Sequence, residues 1–143
     1  MAWLDALAEE EPPEPENPLG TVVTGNLDPD MHVGAKELVR KALKKAGFKT
    51  VDLGGGVSPD DFVSKTKEVN ADVIAVSINL YMAKDNLPDL SSALEAGGLK
   101  DKVIFMIGGS AVKQEDADEI GALYGKSKQE AVDLLLKAIE ERK

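Results

Sequence analysis

Between Gly20 and the C-terminus, short β-branched runs alternate with amphipathic stretches, and this alternation restricts the fold more than any other feature of the chain. Thr21 to Thr24, Thr50 to Leu53, Val73 to Ile78, Val103 to Ile107 and Ala122 to Tyr124 read as strands. The spacing predicts a first helix with Ala35, Leu38, Val39, Ala42, Leu43 and Ala46 on its inner face, ended by Gly47. A second helix opens at Ser58 as N-cap, with Pro59 in the first turn and Asp60 and Asp61 complementing the dipole, and turns Phe62, Val63, Thr66 and Val69 inward. A third spans about Leu87 to Ala96, a fourth follows Ala111, and a last one carries Ala131, Val132, Leu135, Ala138 and Ile139 inward. Five strand-helix repeats of this length imply a five-stranded parallel sheet covered on both faces, with right-handed crossovers, in an α/β three-layer fold. Ligands of such sheets sit beyond the carboxyl ends of the strands. The loops that matter are therefore Gly25 to Val33, Gly54 to Val57, Asn79 to Asp85 and Gly108 to Val112.

The 143 residues suffice for one ordinary domain. The stretch Glu9 to Pro18 is acidic and proline-rich and reads as an extended spacer. Residues 1–18 are thus expected to form a short helix, with Trp3, Leu4 and Leu7 at helical spacing, and this spacer; residues 19–143 form the domain. A formal charge of -9 repels phosphate backbones and anionic lipid, so neither nucleic acid nor a membrane is an expected partner. No apolar run nears the roughly 20 residues that span a bilayer, and Met1 to Ala8 already carries Asp5, so a cytoplasmic protein is expected. The absence of cysteine removes disulfides, thiolate metal sites and cysteine nucleophiles.

The first loop holds the only histidine, in Asp30-Met31-His32-Val33-Gly34. A lone histidine is most often an exposed or capping residue. As a metal ligand it is insufficient for zinc, and it suffices only where a cofactor supplies the other ligands, as a tetrapyrrole-like ring does. Asp30, two residues earlier, could accept the proton of the other ring nitrogen and fix the tautomer. Ser77 ends a buried strand, where a hydroxyl can simply terminate it, and Gly108-Gly109 need a close approach to something or form a tight turn. Gly121 to Ser127 looks like a phosphate loop but has three residues between its glycines instead of four. Gly54-Gly55-Gly56 fits a flexible turn under a flat cofactor better than a phosphate cradle.

In this order and on these loops the residues resemble the cobalamin-binding domains of corrinoid-dependent methyltransferases, methionine synthase and carbon-skeleton mutases. Those carry D-x-H-x-x-G after the first strand, serine at the end of the third and Gly-Gly after the fourth. Stretches such as Ala46-Gly47-Phe48 through Asp52-Leu53-Gly54 look most like the methyltransferase corrinoid proteins. The resemblance covers about Thr21 to Lys137 and implies a flavodoxin-like (Rossmann-like) fold that binds cobalamin or a related corrinoid. It implies that His32 coordinates cobalt as lower ligand, that Asp30 orients it, and that Ser77, Gly108 and Gly109 line a tunnel for the nucleotide tail, which also runs near Tyr124 and Gly125. Asn79 stands where the family often has leucine. From His32 to Gly34 the spacing is one residue shorter than the motif. An alignment through Gly34 puts Met31 at the ligand position and Pro29 at the aspartate position. Two readings follow: His32 under cobalt with Asp30 behind it, or Met31, water or nothing there.

The function implied is a corrinoid carrier serving methyl transfer with partner methyltransferases, a cofactor-carrying subunit with no catalytic residues of its own. The alternatives are the small cobalamin-binding subunit of an adenosylcobalamin-dependent mutase, or a metal-free sensor module of the same fold. In the resembling methyltransferase proteins a helical cap domain precedes this one. The roughly 18 residues before the first strand are too few for a helical bundle, so a partner subunit is expected to cap the site.

Overall fold

The structure is a computed structural model and describes residues 10–142. The helix expected around Trp3, Leu4 and Leu7 lies outside the described residues. Five parallel strands, β1 (Thr21–Asn26), β2 (Lys49–Asp52), β3 (Val73–Ser77), β4 (Ile104–Gly108) and β5 (Leu123–Tyr124), form one sheet in the order β2-β1-β3-β4-β5. This is the flavodoxin-like order. Helices α1 (Val33–Lys45) and α6 (Lys128–Glu141) pack on one face; α2 (Pro59–Val69), α4 (Leu87–Ala96) and α5 (Gln114–Ile120) cover the other. A short helix α3 (Tyr81–Lys84) lies inside the expected loop at Asn79 to Asp85. Its N-cap is Leu80, which offers no capping side chain, so the sequence carries no start signal for it.

Each sheet face has its own core. Val22, Val73, Leu43, Phe48 and Leu135 fill the α1/α6 side, and Val23, Ile74, Ile107, Phe62 and Leu90 fill the other. Successive strand residues therefore feed opposite cores, which is why the central strands read as unbroken apolar runs. Ser58 caps α2 by accepting from Asp61 N at 3.1 Å, and Ser127 caps α6 by accepting from Glu130 N at 3.1 Å.

The inner face expected for the first helix forms in part: Val39, Ala42, Leu43 and Ala46 pack on the α1/α6 core. Of its six residues only Leu43 is fully buried, and Ala35 is exposed. Lys36, Arg40, Lys41 and Lys44 are buried as well, which the pattern does not predict. For Arg40 and Lys44 the cause is nonlocal: the acidic segment ahead of β1 lies against this helix, where Glu11 pairs with Arg40 at 2.5 Å and with Lys44 at 2.7 Å, and Glu14 pairs with Lys44 at 2.9 Å. These contacts hold the Glu11 carboxyl down at about 2, with the hydrogen bond from Arg40 as the main cause and that from Lys44 next. Ala35, Leu38 and Val39 line a cleft beside α6.

Candidate functional site

The strand order reverses between β1 and β3, and the loops leaving these two strands meet there. The register sets Asn26 opposite Ser77 and Ser77 opposite Gly108, so the last residues of β1, β3 and β4 stand side by side. The loop after β1 turns back at Asp30, whose N–H donates to Leu27 O at 2.8 Å and whose carbonyl accepts from Gly56 N at 2.9 Å. It then starts α1 with His32 as its N-cap residue.

Asp30 is fully buried, yet its carboxylate is satisfied from every side. Oδ1 accepts from His32 N at 3.0 Å and lies 2.7 Å from His32 Nδ1; Oδ2 accepts from Asn79 N at 2.7 Å and Asn26 Nδ2 at 3.1 Å. Burial alone would raise this carboxyl, but the bonds from Asn26, Asn79 and His32 outweigh it and hold it below the ordinary carboxylate value. An ionised Asp30 makes His32 Nδ1 the protonated nitrogen and leaves Nε2, across the ring, as the lone-pair donor. The His32 side chain is 68% exposed, so Nε2 is accessible. Asn26 directs its amide nitrogen to Asp30 and to His32 O at 3.0 Å, which leaves its buried Oδ1 without a partner among the described residues. A buried oxygen left unpaired costs about 1–3 kcal/mol; the loop tolerates that cost while fixing the carboxylate under the histidine.

Met31, the other residue weighed as ligand, is 66% exposed, and its sulfur lies over Gly55 and Gly56, where side chains would crowd it. Pro29 has no acceptor group that could stand in for Asp30. The structure therefore brings Asp30 and His32 together, whereas Gly34 falls inside the first turn of α1.

Beyond the pair, a cleft of about 700 Å³ opens between α1, α6 and the ends of β1, β3 and β4. Thr24, Leu38, Val39, Ala75, Met106 and Ala131 form its largely apolar body; Ser77, Asn79, Gly108, Gly109, Tyr124 and Gly125, all expected at the site, line it too. Tyr124 is steadied by a 3.3 Å hydrogen bond from its hydroxyl to Val112 O.

The glycines have a reason in the fold itself, beside the one the resemblance implies. A Cβ on Gly109 would lie 2.2 Å from Ile78 O, and one on Gly108 would lie 2.7 Å from Gly125 O. Their close approach is to neighbouring backbone, which lets the loops after β3, β4 and β5 close together at the cleft. Gly121, in the stretch resembling a phosphate loop, has φ +68° and ends α5 as its C-cap.

Sequence reasoning missed Asn26, Ser110 and the wall at Lys36. Lys36 is buried at the cleft and bonds both oxygens of Asp52 at 2.6 and 2.7 Å, while Thr24 Oγ1 donates to Asp52 Oδ1 at 2.8 Å. An acid at the end of one strand and a lysine one turn into a helix gave the only signal. Among the described residues no cluster of three or more His, Asp or Glu side chains could hold a metal alone, and no helix is long and apolar enough to cross a membrane.

Residues 20–135 match the family model described as the B12 binding domain. Trimethylamine corrinoid protein 1 of Methanosarcina acetivorans is 43% identical over 115 residues, which cover 80% of this chain and 53% of that protein. The chain thus spans about half the length of the trimethylamine corrinoid proteins it matches. Among solved structures, the Methanosarcina barkeri monomethylamine corrinoid protein superposes with a TM-score of 0.81 at 26% identity, covering 86% of this chain and 60% of that one. A cobalamin-binding protein from Desulfitobacterium hafniense does so with a TM-score of 0.78 at 28% identity, covering 82% and 58%. With the sheet order, the Asp30–His32 pair and the cleft beside them, these matches establish that the chain belongs to the B12-binding domain family.

Proposed function

We propose that the chain is a corrinoid carrier that serves methyl transfer together with partner methyltransferases. The observation that carries this reading is the exposed histidine held from behind by a buried, ionised carboxylate, which Asn79 bonds from the wall of a mostly apolar cleft. These residues fit a corrinoid: one protein nitrogen would suffice where a macrocycle supplies the ring nitrogens, and the cleft would offer room for a nucleotide tail. The bound corrinoid supplies the cobalt whose change of oxidation state lets a methyl group be accepted and released.

The chain's own residues hold and tune. His32 offers Nε2 as lower ligand. Asp30 keeps Nδ1 protonated, orients the ring and raises the basicity of Nε2. Asn26 and Asn79 keep Asp30 ionised. Ser77, Gly108, Gly109, Tyr124 and Gly125 surround the tail in the cleft, with Leu38 and Val39 giving its apolar wall. Relatives named for methylamines favour a methylated amine as the ultimate methyl source, with the amine handled by the partner.

The test is incubation with hydroxocobalamin, desalting and a visible spectrum, with wild type and His32→Ala in parallel. Wild type is expected to retain the corrinoid, and His32→Ala to shift its spectrum toward that of a base-off, water-ligated form. No retention by wild type refutes the carrier reading; retention with identical spectra removes His32 as ligand.

A further inference from the structure

We infer that Lys126 and Lys128 form a cationic rim that takes the phosphodiester of the corrinoid's nucleotide tail, so that this chain distinguishes corrinoids that carry a tail phosphate from those that lack one. This rests on the corrinoid reading above and adds to it two residues and the charged group they recognise. The chain carries 26 acidic residues against 17 lysines and arginines, and its formal charge of -9 repels a phosphate at long range. The cleft reverses that balance. Among the described residues, the only charged ones that line it are Lys36, Lys126 and Lys128, with no aspartate or glutamate. Glu130, on the same turn as Lys128, lies outside the lining.

The three lysines differ in what they have left to give. An ammonium group has three donors and no acceptor. Lys36 is buried and has committed its own: Nζ lies 2.6 and 2.7 Å from the two oxygens of Asp52 and 3.1 Å from Glu37 Oε2. Lys126 and Lys128 are exposed, and no ion pair or side-chain hydrogen bond holds either among the described residues. Both follow β5 and so stand at the carboxyl end of the sheet, where the His32 loop also lies. Deeper in, the cleft is apolar: Ala75 and Met106 come from within β3 and β4, Ala131 from one turn into α6, and Leu38 and Val39 from α1. A molecule that enters beside His32 with an anionic group ahead of a flat, uncharged ring meets charge at the rim and hydrocarbon in the body. The nucleotide tail of a corrinoid has its groups in that order, with the phosphodiester between macrocycle and base. Charge acts over roughly 8–10 Å in physiological salt, so the rim and not the net charge decides what the tail phosphate meets.

The experiment measures dissociation constants by spectral titration for cobalamin, for cobinamide phosphate and for cobinamide, which lacks both phosphate and base. The variant Lys126→Gln/Lys128→Gln is expected to bind cobalamin and cobinamide phosphate roughly five- to ten-fold more weakly than wild type, two exposed charge contacts being worth about that factor. Its affinity for cobinamide should stay within about two-fold of wild type. Raising salt from about 50 to about 500 mM should erode the wild-type preference for cobinamide phosphate over cobinamide and leave that of the variant unchanged. Lys45→Gln/Lys49→Gln removes the same charge from exposed lysines outside the cleft and should change none of the three constants. An equal loss in that control assigns the effect to net charge and overturns the inference. Equal weakening of cobinamide, or no weakening of cobinamide phosphate, overturns it too and leaves the carrier reading standing, whereas failure of wild type to retain any of the three overturns both.

Discussion

Gly109→Ala should cost this protein about 3–5 kcal/mol with no corrinoid present, and the structure shows why. Gly109 has φ +117°, a conformation that costs a side-chain-bearing residue of order 1–3 kcal/mol. The new methyl would also stand 2.2 Å from Ile78 O and 2.7 Å from Ile78 N, both backbone atoms and closer than any real Cβ contact. Relief requires moving the Ile78 peptide, which is held by a 2.8 Å bond from its N–H to Gly108 O and a 3.1 Å bond from Ala111 N to its carbonyl. Each lost bond adds about 0.5–1.5 kcal/mol. Gly121→Ala is the control: φ is +68°, and nothing lies within 4 Å of its added Cβ, so only the backbone penalty of about 1–2 kcal/mol applies. Urea unfolding of both variants and wild type, read as midpoint shifts at constant slope, isolates the crowding term as the difference between them. Equal midpoints for Gly109→Ala and Gly121→Ala would refute the argument that backbone crowding requires Gly109.

Asp30→Ala strands the N–H groups of His32 and Asn79 and the Asn26 amide around a buried void, so it should destabilise the chain by about 3 kcal/mol in the same assay. A loss below about 1 kcal/mol would mean that the loop reorganises freely. The acidic strap makes a pH prediction. The Glu11 carboxyl is depressed in the folded chain, so its contribution is fully present above the ordinary value of 4.5 and is lost as pH falls toward about 2. Because Glu11 is 46% exposed, that contribution is expected to be about 1 kcal/mol or less and to shrink in high salt. NMR titration of the Glu11 side-chain carboxyl should give a midpoint near 2 in wild type and near 4.5 in Arg40→Gln/Lys44→Gln; a wild-type midpoint near 4.5 would show that the strap does not dock.

What the sequence discloses here follows the range over which each interaction acts. Strand positions and the inner faces of α2 and α6 were legible because Phe62, Thr66, Ala131, Leu135 and Ile139 obey a period that one element sets for itself. The burial of Arg40 and Lys44 on α1 was not, since it comes from Glu11 and Glu14, with Glu11 lying 29 and 33 positions away along the chain. Asp30 and His32 could be paired from their spacing of two, which suits a carboxylate reaching the next-but-one residue across a turn. Their dependence on Asn79 could not be read, because Asn79 approaches Asp30 only through the β1–β3 register that sets Asn26 beside Ser77. Gly108 and Gly109 announced a close approach, but the identity of the approaching atoms, Gly125 O and Ile78 O, is a fact of three dimensions.

α1 joins these parts mechanically. One helix of 13 residues carries His32 at its N-cap, gives Ala35, Leu38 and Val39 to the cleft, and offers Arg40 and Lys44 to the acidic strap. A helix is stiff over this length, so the position of the histidine and the width of the cleft are set together. Lys36 pins that helix to the end of β2 through Asp52, and Asn26 pins its first turn to β1 through His32 O. In this arrangement the lower ligand and the tail site of the proposed corrinoid cannot be adjusted independently, because the same helix bears both. Substitutions along the Lys36–Asp52 contact would therefore be felt at His32 even though neither residue touches the imidazole.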